Sequence, residues 1–133
     1  MRAGVRIEHV ALWTDDLERA MRFYAEYFGA APADPYRNPT KGFESVFLSF
    51  SGGARIELMR TTTLSPVALA PGEQRMGLTH LAISVGSERL VDELTERIRN
   101  DGFPVLDGPR RTGDGYYESV VLDPDGNRIE ITA

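Results

Sequence analysis

The sequence predicts an α+β domain built from two βαβββ modules, and three observations support this fold class. The chain has 133 residues, the length of one compact domain of about 100–150 residues. Its apolar fraction of 41% and charged fraction of 26% are those of a globular protein with a core. Its two halves repeat the same motifs in the same order, and each half has the periodicity of a strand, a helix and then further strands.

The repeat rests on four pairs of segments that match between the halves. Residues 7–12 (IEHVAL) align with 78–83 (LTHLAI) at an offset of 71, and residues 53–58 (GARIEL) align with 126–131 (GNRIEI) at an offset of 73. Gly29 aligns with Gly102 at an offset of 73, and residues 44–46 align with 118–120 at an offset of 74. We therefore predict one domain over residues 1–133, with module 1 at about 5–60, a linker at about 61–77 and module 2 at about 78–132.

The elements of module 1 follow from its residue patterns in chain order. Residues 5–13 alternate between apolar and other side chains, which is typical of a half-buried strand. Asp15 or Asp16 can cap a helix that Gly29 ends. The proline-rich segment 30–42 predicts one short edge strand and a loop, and the Ser51-Gly52-Gly53 turn separates two further strands. The predicted apolar stripe of the helix consists of Leu17, Ala20, Met21, Tyr24 and Phe28.

Module 2 repeats this order of elements. Ser87 can cap its helix, and Gly102 can end it. The segment Asp123-Pro124-Asp125-Gly126 predicts a tight turn between the last two strands. The predicted apolar stripe of this helix consists of Leu90, Val91, Leu94 and Ile98.

Composition excludes several functional classes. A net charge of -5 argues against nucleic acid and anionic membranes as partners, because both require a basic surface. The chain has no cysteine, so it has neither a disulfide framework nor a thiolate metal site. No apolar run is long enough to span a membrane, and the first ten residues lack the apolar region of a secretion signal. These features predict a soluble cytoplasmic protein.

Two histidines and two glutamates occupy equivalent positions of the repeat. His9 and His80 are the chain's only histidines, and Glu57 and Glu130 each stand between apolar residues of a later strand. Alternation along the strands places all four on the sheet face opposite the helix. Such ligands suit a divalent ion such as Zn, Ni, Co, Fe or Mn, and the two glutamates could also transfer protons. Retention of these residues from a duplicated ancestor, without a role, is the alternative explanation.

Five neighbouring residues are candidates for substrate binding. Arg55 and Arg128 share the face of the glutamates and could hold an anionic substrate, or they could pair with nearby carboxylates. Trp13 and Met59 could line an apolar pocket or fill the core, and Tyr117 could line the entrance of a cavity.

The motifs IEHVAL, ARIEL, LTHLAISV and DPDGNRIEI resemble those of the vicinal oxygen chelate superfamily, which contains glyoxalase I, bleomycin resistance proteins and extradiol dioxygenases. The resemblance covers residues 5–132. It implies a cup-shaped, half-barrel mixed sheet with the helices on its outer face, a homodimer and a bound divalent metal. The ligand pattern of glyoxalase I falls on His9, Glu57, His80 and Glu130.

The complete ligand set is most similar to that of glyoxalase I. It implies a metal-dependent lyase or isomerase that acts on a small substrate with adjacent oxygens through an enediolate. Members that use glutathione place Arg four residues after the first His and Asn four residues after the first Glu. Trp13 and Thr61 stand at these positions here, which argues against glutathione. The alternatives are a dioxygenase or antibiotic-resistance transferase with three protein ligands, and a metal-free protein that sequesters a small molecule.

Overall fold

The computed structural model describes residues 1–65 and 70–133. The chain divides into two compact units, Met1–Pro66 and Val67–Ala133, and each contains one helix and one sheet. The predicted α+β class with mixed sheets is therefore confirmed. Part of the linker predicted at 61–77 lies outside the described residues, namely 66–69. Within the described ranges, no helix is long and apolar enough to cross a membrane.

The first unit has a mixed sheet in the order β1-β5-β4-β2, with β3 also paired to β4. Strand β1 runs parallel to β5, whereas β4 is antiparallel to both of its neighbours along this path. One edge strand was predicted over 30–42, and this number is wrong: two short strands pair with β4, since Pro35 falls between them and cannot donate to a ladder. The elements are β1 (His9–Trp13), α1 (Leu17–Phe28), β2 (Ala31–Pro32), β3 (Tyr36–Asn38), β4 (Phe43–Ser49) and β5 (Arg55–Thr61).

The second unit has the predicted βαβββ order, with a sheet in the order β6-β9-β8-β7. Strand β6 is parallel to β9, and the remaining pairs are antiparallel. The turn before β9 is held by the buried Asp123, whose carboxylate accepts hydrogen bonds from the backbone of Asp125 and Asn127. The elements are β6 (His80–Ser84), α2 (Glu88–Asn100), β7 (Val105–Arg111), β8 (Tyr117–Leu122) and β9 (Arg128–Thr132).

Each helix begins at the predicted cap. The side chains of Asp16 and Ser87 accept hydrogen bonds from the backbone N–H three residues later. Gly29 ends α1 with φ at 66°, a left-handed conformation that glycine adopts without steric cost.

The buried stripe of α1 lies slightly to one side of the predicted one. Ala20 and Tyr24 are buried as predicted, whereas Leu17, Met21 and Phe28 are only half-buried. Phe23 and Tyr27 take their place, with their rings 5.1 Å apart. The wide apolar surface of this helix made the centre of the stripe ambiguous from spacing alone.

Strand register corrects one of the four repeat alignments. Phe47 lies opposite Glu57, and Val120 lies opposite Glu130, so β4 and β8 correspond at an offset of 73 rather than 74. The counterpart of Glu118 is therefore Ser45 and not Glu44. A shift of one residue moves a side chain to the other face of a sheet, so Glu44 and Glu118 face opposite sides of their sheets.

Candidate metal centre

In the first unit, the parallel pairing of β1 with β5 brings His9 and Glu57 together. Ile56 and Leu58 are buried on the side that α1 covers, so the alternating side chains of His9 and Glu57 project from the opposite face, as predicted. His9 Nε2 lies 3.7 Å from Glu57 Oε1, and the side chain of Glu57 is 17% exposed. A half-buried carboxylate thus faces a ring nitrogen on an accessible surface.

The second unit repeats this arrangement with the same register. His80 lies opposite Arg128 just as His9 lies opposite Arg55, and in each unit the glutamate is two residues further along its strand. His80 Nε2 is 3.2 Å from Glu130 Oε2. The shared register shows that the two His–Glu pairs are equivalent in structure as well as in sequence.

Both pairs have the donor chemistry of a divalent metal site. Imidazole nitrogens and carboxylate oxygens bind zinc at about 2.0–2.2 Å, so two such ligands on one ion lie roughly 3.0–3.5 Å apart. The N–O separation in the second unit falls in this range. The separation in the first unit is slightly longer, and a small side-chain movement would bring it into the range. Among residues 1–65 and 70–133, no group of three or more His, Asp or Glu side chains is placed to hold a metal ion.

Residues that the sequence did not single out surround His9. Its Nδ1 is hydrogen-bonded to Glu8 Oε2 at 2.5 Å, and its ring packs edge-on against Phe47 at 5.2 Å. Hydrogen bonds from His9 and Arg55 hold the pKa of the Glu8 carboxyl below its usual range. Phe47 could have been found from its position opposite Glu57, but only once the register was known.

The two candidate arginines make different contacts. Arg55 Nε donates to Glu8 Oε1 at 2.7 Å, and its guanidinium lies 4.1 Å from the centre of the Phe47 ring. Arg128 donates to the backbone oxygen of Gly72 at 3.1 Å. Arg55 therefore pairs with a local carboxylate, which was the alternative considered for it, and Arg128 holds a loop.

Glu118 and Thr132 flank Glu130 on the same face, and the sequence analysis missed both as site residues. They lie opposite each other on β8 and β9. Burial and the adjacent Glu130 carboxylate raise the pKa of Glu118. The buried Thr132 hydroxyl has no hydrogen-bond partner in the part of the chain that the structure describes. The sequence would have indicated Glu118 if β8 had been aligned with β4 at the offset that the strand register gives.

Trp13 and Met59 lie opposite each other on the face that carries His9 and Glu57. Trp13 is 48% exposed and meets Phe43 edge-on at 6.3 Å. The ring of Tyr36 lies 6.1 Å from that of Phe43 in a tilted arrangement. Trp13 thus belongs to an open aromatic cluster, Trp13, Phe43 and Tyr36, rather than to the buried core.

The structure brings Tyr117 to the helix instead of to the Glu130 face. Its hydroxyl donates to Asp92 on α2 at 2.6 Å, and this bond raises the pKa of Tyr117. Alternation explains the placement, because Glu118 next to it shares the face of Glu130.

Comparison with known proteins finds a matching family model, similar sequences and similar solved structures. A family model described as the Glyoxalase/Bleomycin resistance protein/Dioxygenase superfamily matches residues 6–131. The chain is 30% identical to the uncharacterized protein YqjT of Bacillus subtilis, over 96% of this chain and 98% of that one. It is 29% identical to a lactoylglutathione lyase of Arabidopsis thaliana, over 95% of this chain but only 43% of that protein. The solved structure of a trypanothione-dependent glyoxalase I from Leishmania major has the same fold, with a TM-score of 0.76 and 24% identity over 97% of this chain and 86% of that one.

Proposed function

Because the chain belongs to the glyoxalase/bleomycin resistance protein/dioxygenase superfamily, we propose that it is a metal-dependent lyase or isomerase of the glyoxalase I type. Its substrate would be a small molecule with two adjacent oxygens. One observation carries the proposal: each unit presents a His–Glu pair at the same register of its parallel strand pair. Divergence without selection would not be expected to keep both pairs on the accessible face.

The four side chains would hold one divalent ion, with His9 and Glu57 supplied by the first unit and His80 and Glu130 by the second. The two units would come from one chain or from two chains of a homodimer. Two neutral imidazoles and two carboxylates balance the charge of the ion. When bound, the ion would supply Lewis acidity, which favours the ionised form of a substrate with adjacent oxygens.

Glu57 and Glu130 would move the proton in this reaction. Each is shielded from solvent over most of its side chain and lies beside the imidazole of its unit, where a carboxylate can act as a general acid or base. One glutamate would remove a proton from a carbon next to a substrate carbonyl, giving an enediolate. The same or the other glutamate would return the proton to the adjacent carbon.

The open face of the first unit would accept an apolar substituent of the substrate. Trp13 and Met59 adjoin Glu57 there, and Thr61 follows on the same strand. The Arabidopsis relative is named a lactoylglutathione lyase, which supports a thiol adduct as the substrate. Trp13 and Thr61 supply no positive charge for the carboxylates of glutathione, so we propose a different thiol.

A chain without cysteine is compatible with the reducing cytoplasm, where we place the protein.

Metal titration of the purified chain tests the proposal. Protein stripped with a chelator would be loaded with Ni, Co, Zn and Mn in turn, and bound metal would be measured by elemental analysis after desalting. We expect close to one ion per pair of units for at least one metal. We also expect Glu57→Gln to lower that content sharply, whereas Glu18→Gln, which alters an exposed carboxylate of α1, would not. Failure of all four metals to bind would contradict the proposal.

A three-ligand enzyme is the second candidate, and the longer His9–Glu57 distance favours it. In that case Glu57→Ala would retain both the metal and the activity. Ligand binding that a chelator does not change would instead support a sequestering protein. Turnover of hemithioacetals that is lost in the chelator and restored by metal would exclude the sequestering role.

A further inference from the structure

We propose that Glu8 is a positioning residue that fixes the orientation and the protonated nitrogen of His9. Its carboxylate accepts a hydrogen bond from Nδ1 of His9, which leaves the lone pair of Nε2 directed toward the side of Glu57. The inference deepens the proposed function, since the Nε2 lone pair is what a metal ligand requires. Only its consequence for metal affinity rests on that function, because the hydrogen bond itself joins two residues of the chain.

Glu8 is itself held in place by Arg55. The backbone N–H of Arg55 donates to the Glu8 carbonyl at 2.9 Å, and the guanidinium donates to the Glu8 carboxylate through Nε and a terminal nitrogen. Phe47 contacts both partners of Glu8, because the Arg55 guanidinium lies over its ring and the His9 ring packs nearly perpendicular to it. The carboxylate thus has one oxygen directed to Arg55 and the other to His9.

The second unit has no carboxylate at the position of Glu8, so it serves as an internal control. The residue before His80 is Thr79, whose short hydroxyl replaces a carboxylate. Arg128, the counterpart of Arg55, bonds to a loop carbonyl instead. The contact of the His80 ring that corresponds to the one between His9 and Glu57 is made by Nε2, with Glu130.

The expected consequence is a preferred tautomer. A neutral imidazole carries its proton on one nitrogen, and the partner of that nitrogen decides which one it is. A carboxylate at Nδ1 selects the Nδ1–H form, and carboxylate partners of this kind orient metal-binding histidines. Removal of such an outer partner lowers metal affinity by about 10–100-fold.

Nitrogen NMR of the metal-free protein tests the inference directly. Long-range 15N–1H spectra, recorded at a pH where both imidazoles are neutral, would distinguish the two nitrogens of each ring. We expect His9 in the native chain to be Nδ1–H. We expect Glu8→Ala to shift it to mainly Nε2–H, and Glu8→Gln, whose amide oxygen can still accept, to retain the native form. Arg55→Met, which releases Glu8, would give a mixture of both forms.

His80 and Thr79→Ala provide the matched control. The spectrum of His80 should not change in Glu8→Ala, and that of His9 should not change in Thr79→Ala. An Nε2–H His9 in the native chain, or an unchanged His9 tautomer in Glu8→Ala, would overturn the inference whether or not metal binds.

Metal affinity supplies the second measurement. Competition against a chromophoric chelator should show a 10–100-fold weaker Kd for Glu8→Ala and no change for Thr79→Ala, in line with the loss of an outer partner. Affinity within twofold of the native chain, despite a changed tautomer, would overturn the positioning role. Absence of metal binding by the native chain would contradict the proposed function instead, and the tautomer alone would then decide the inference.

Discussion

The two units present the same His–Glu pair in different surroundings. Around His9 lie a carboxylate, a guanidinium and an aromatic ring, from Glu8, Arg55 and Phe47. Around Glu130 lie a second carboxylate and a buried hydroxyl, from Glu118 and Thr132. The strand register is identical in both units although these neighbours differ. The strand register therefore determines where each His–Glu pair lies, and the neighbouring side chains can change the chemistry of the pair.

A similar difference is found beneath each helix. Counted from the two caps, Tyr24 of α1 corresponds to Thr95 of α2, and both are fully buried. By strand register, Val46 corresponds to Ser119, so an aromatic and aliphatic pair in the first unit replaces two hydroxyls in the second. The Thr95 and Ser119 oxygens are 2.6 Å apart. The second interface thus has a buried contact between two hydroxyls where the first has an aromatic ring and an aliphatic side chain.

Removal of the aromatic ring should have the largest effect. We expect Tyr24→Ala to lower the free energy of unfolding by about 3–5 kcal/mol, the usual cost of truncating a buried aromatic side chain. Urea unfolding followed by circular dichroism would measure this change. Tyr24→Phe retains the ring and should cost far less, so equal effects of the two variants would contradict the role of packing.

Loss of either histidine should come next. His9→Ala and His80→Ala should each weaken metal binding by at least about 100-fold, about 2.7 kcal/mol, because each removes one donor from the same proposed set. Isothermal titration with the metal that binds best would give both Kd values. If one variant lost metal affinity and the other kept the affinity of the native chain, the two units would not be equivalent in function.

The buried hydroxyl pair should have a smaller effect. Thr95→Val keeps the shape of the side chain but leaves the Ser119 hydroxyl without its partner, at a cost of about 1–3 kcal/mol. Thermal unfolding would measure the loss. Combination with Ser119→Ala should recover part of it, since no polar group is then left unpaired. A double variant that is less stable than the sum of the two single variants would contradict this interpretation.

The smallest effect concerns Glu118, whose counterpart in the first unit is Ser45. Its pKa is raised in the folded chain by burial and by Glu130, so the folded state binds this proton more tightly than the unfolded state does. The contribution of Glu118 to stability is therefore lost as pH rises from its ordinary pKa through its raised one. Glu118→Gln should remove this part of the pH dependence and stabilise the metal-free protein at neutral pH by about 0.5 kcal/mol or less. Denaturant unfolding at several pH values would show it, and an unchanged profile would contradict it.

The sequence predicted the elements that depend on local patterns. The alternation at His9 and His80, the caps Asp16 and Ser87 and the turn at Asp123 were all confirmed. These features depend on residues close together in the chain, so their spacing reveals them.

Contacts between distant strands were harder to predict. Phe47 and Glu118 take part in the site only through the register of β4 and β8, and an error of one residue in the repeat hid the position of Glu118. Glu8 was missed for a different reason. It precedes β1, where strict alternation no longer determines the direction of a side chain.

The parallel pairing of the first and last strands of each unit also bears on the order of folding. His9 and Glu57 are 48 residues apart in the chain, and His80 and Glu130 are 50 apart. The β4–β5 and β8–β9 hairpins need only short loops, whereas the histidine strands must close long ones, which is slower. We expect each histidine strand to dock after the hairpin beside it has formed. A chain emerging from the ribosome would then present each His–Glu pair only when its sheet is complete, which would limit the capture by unfinished protein of the metal proposed above.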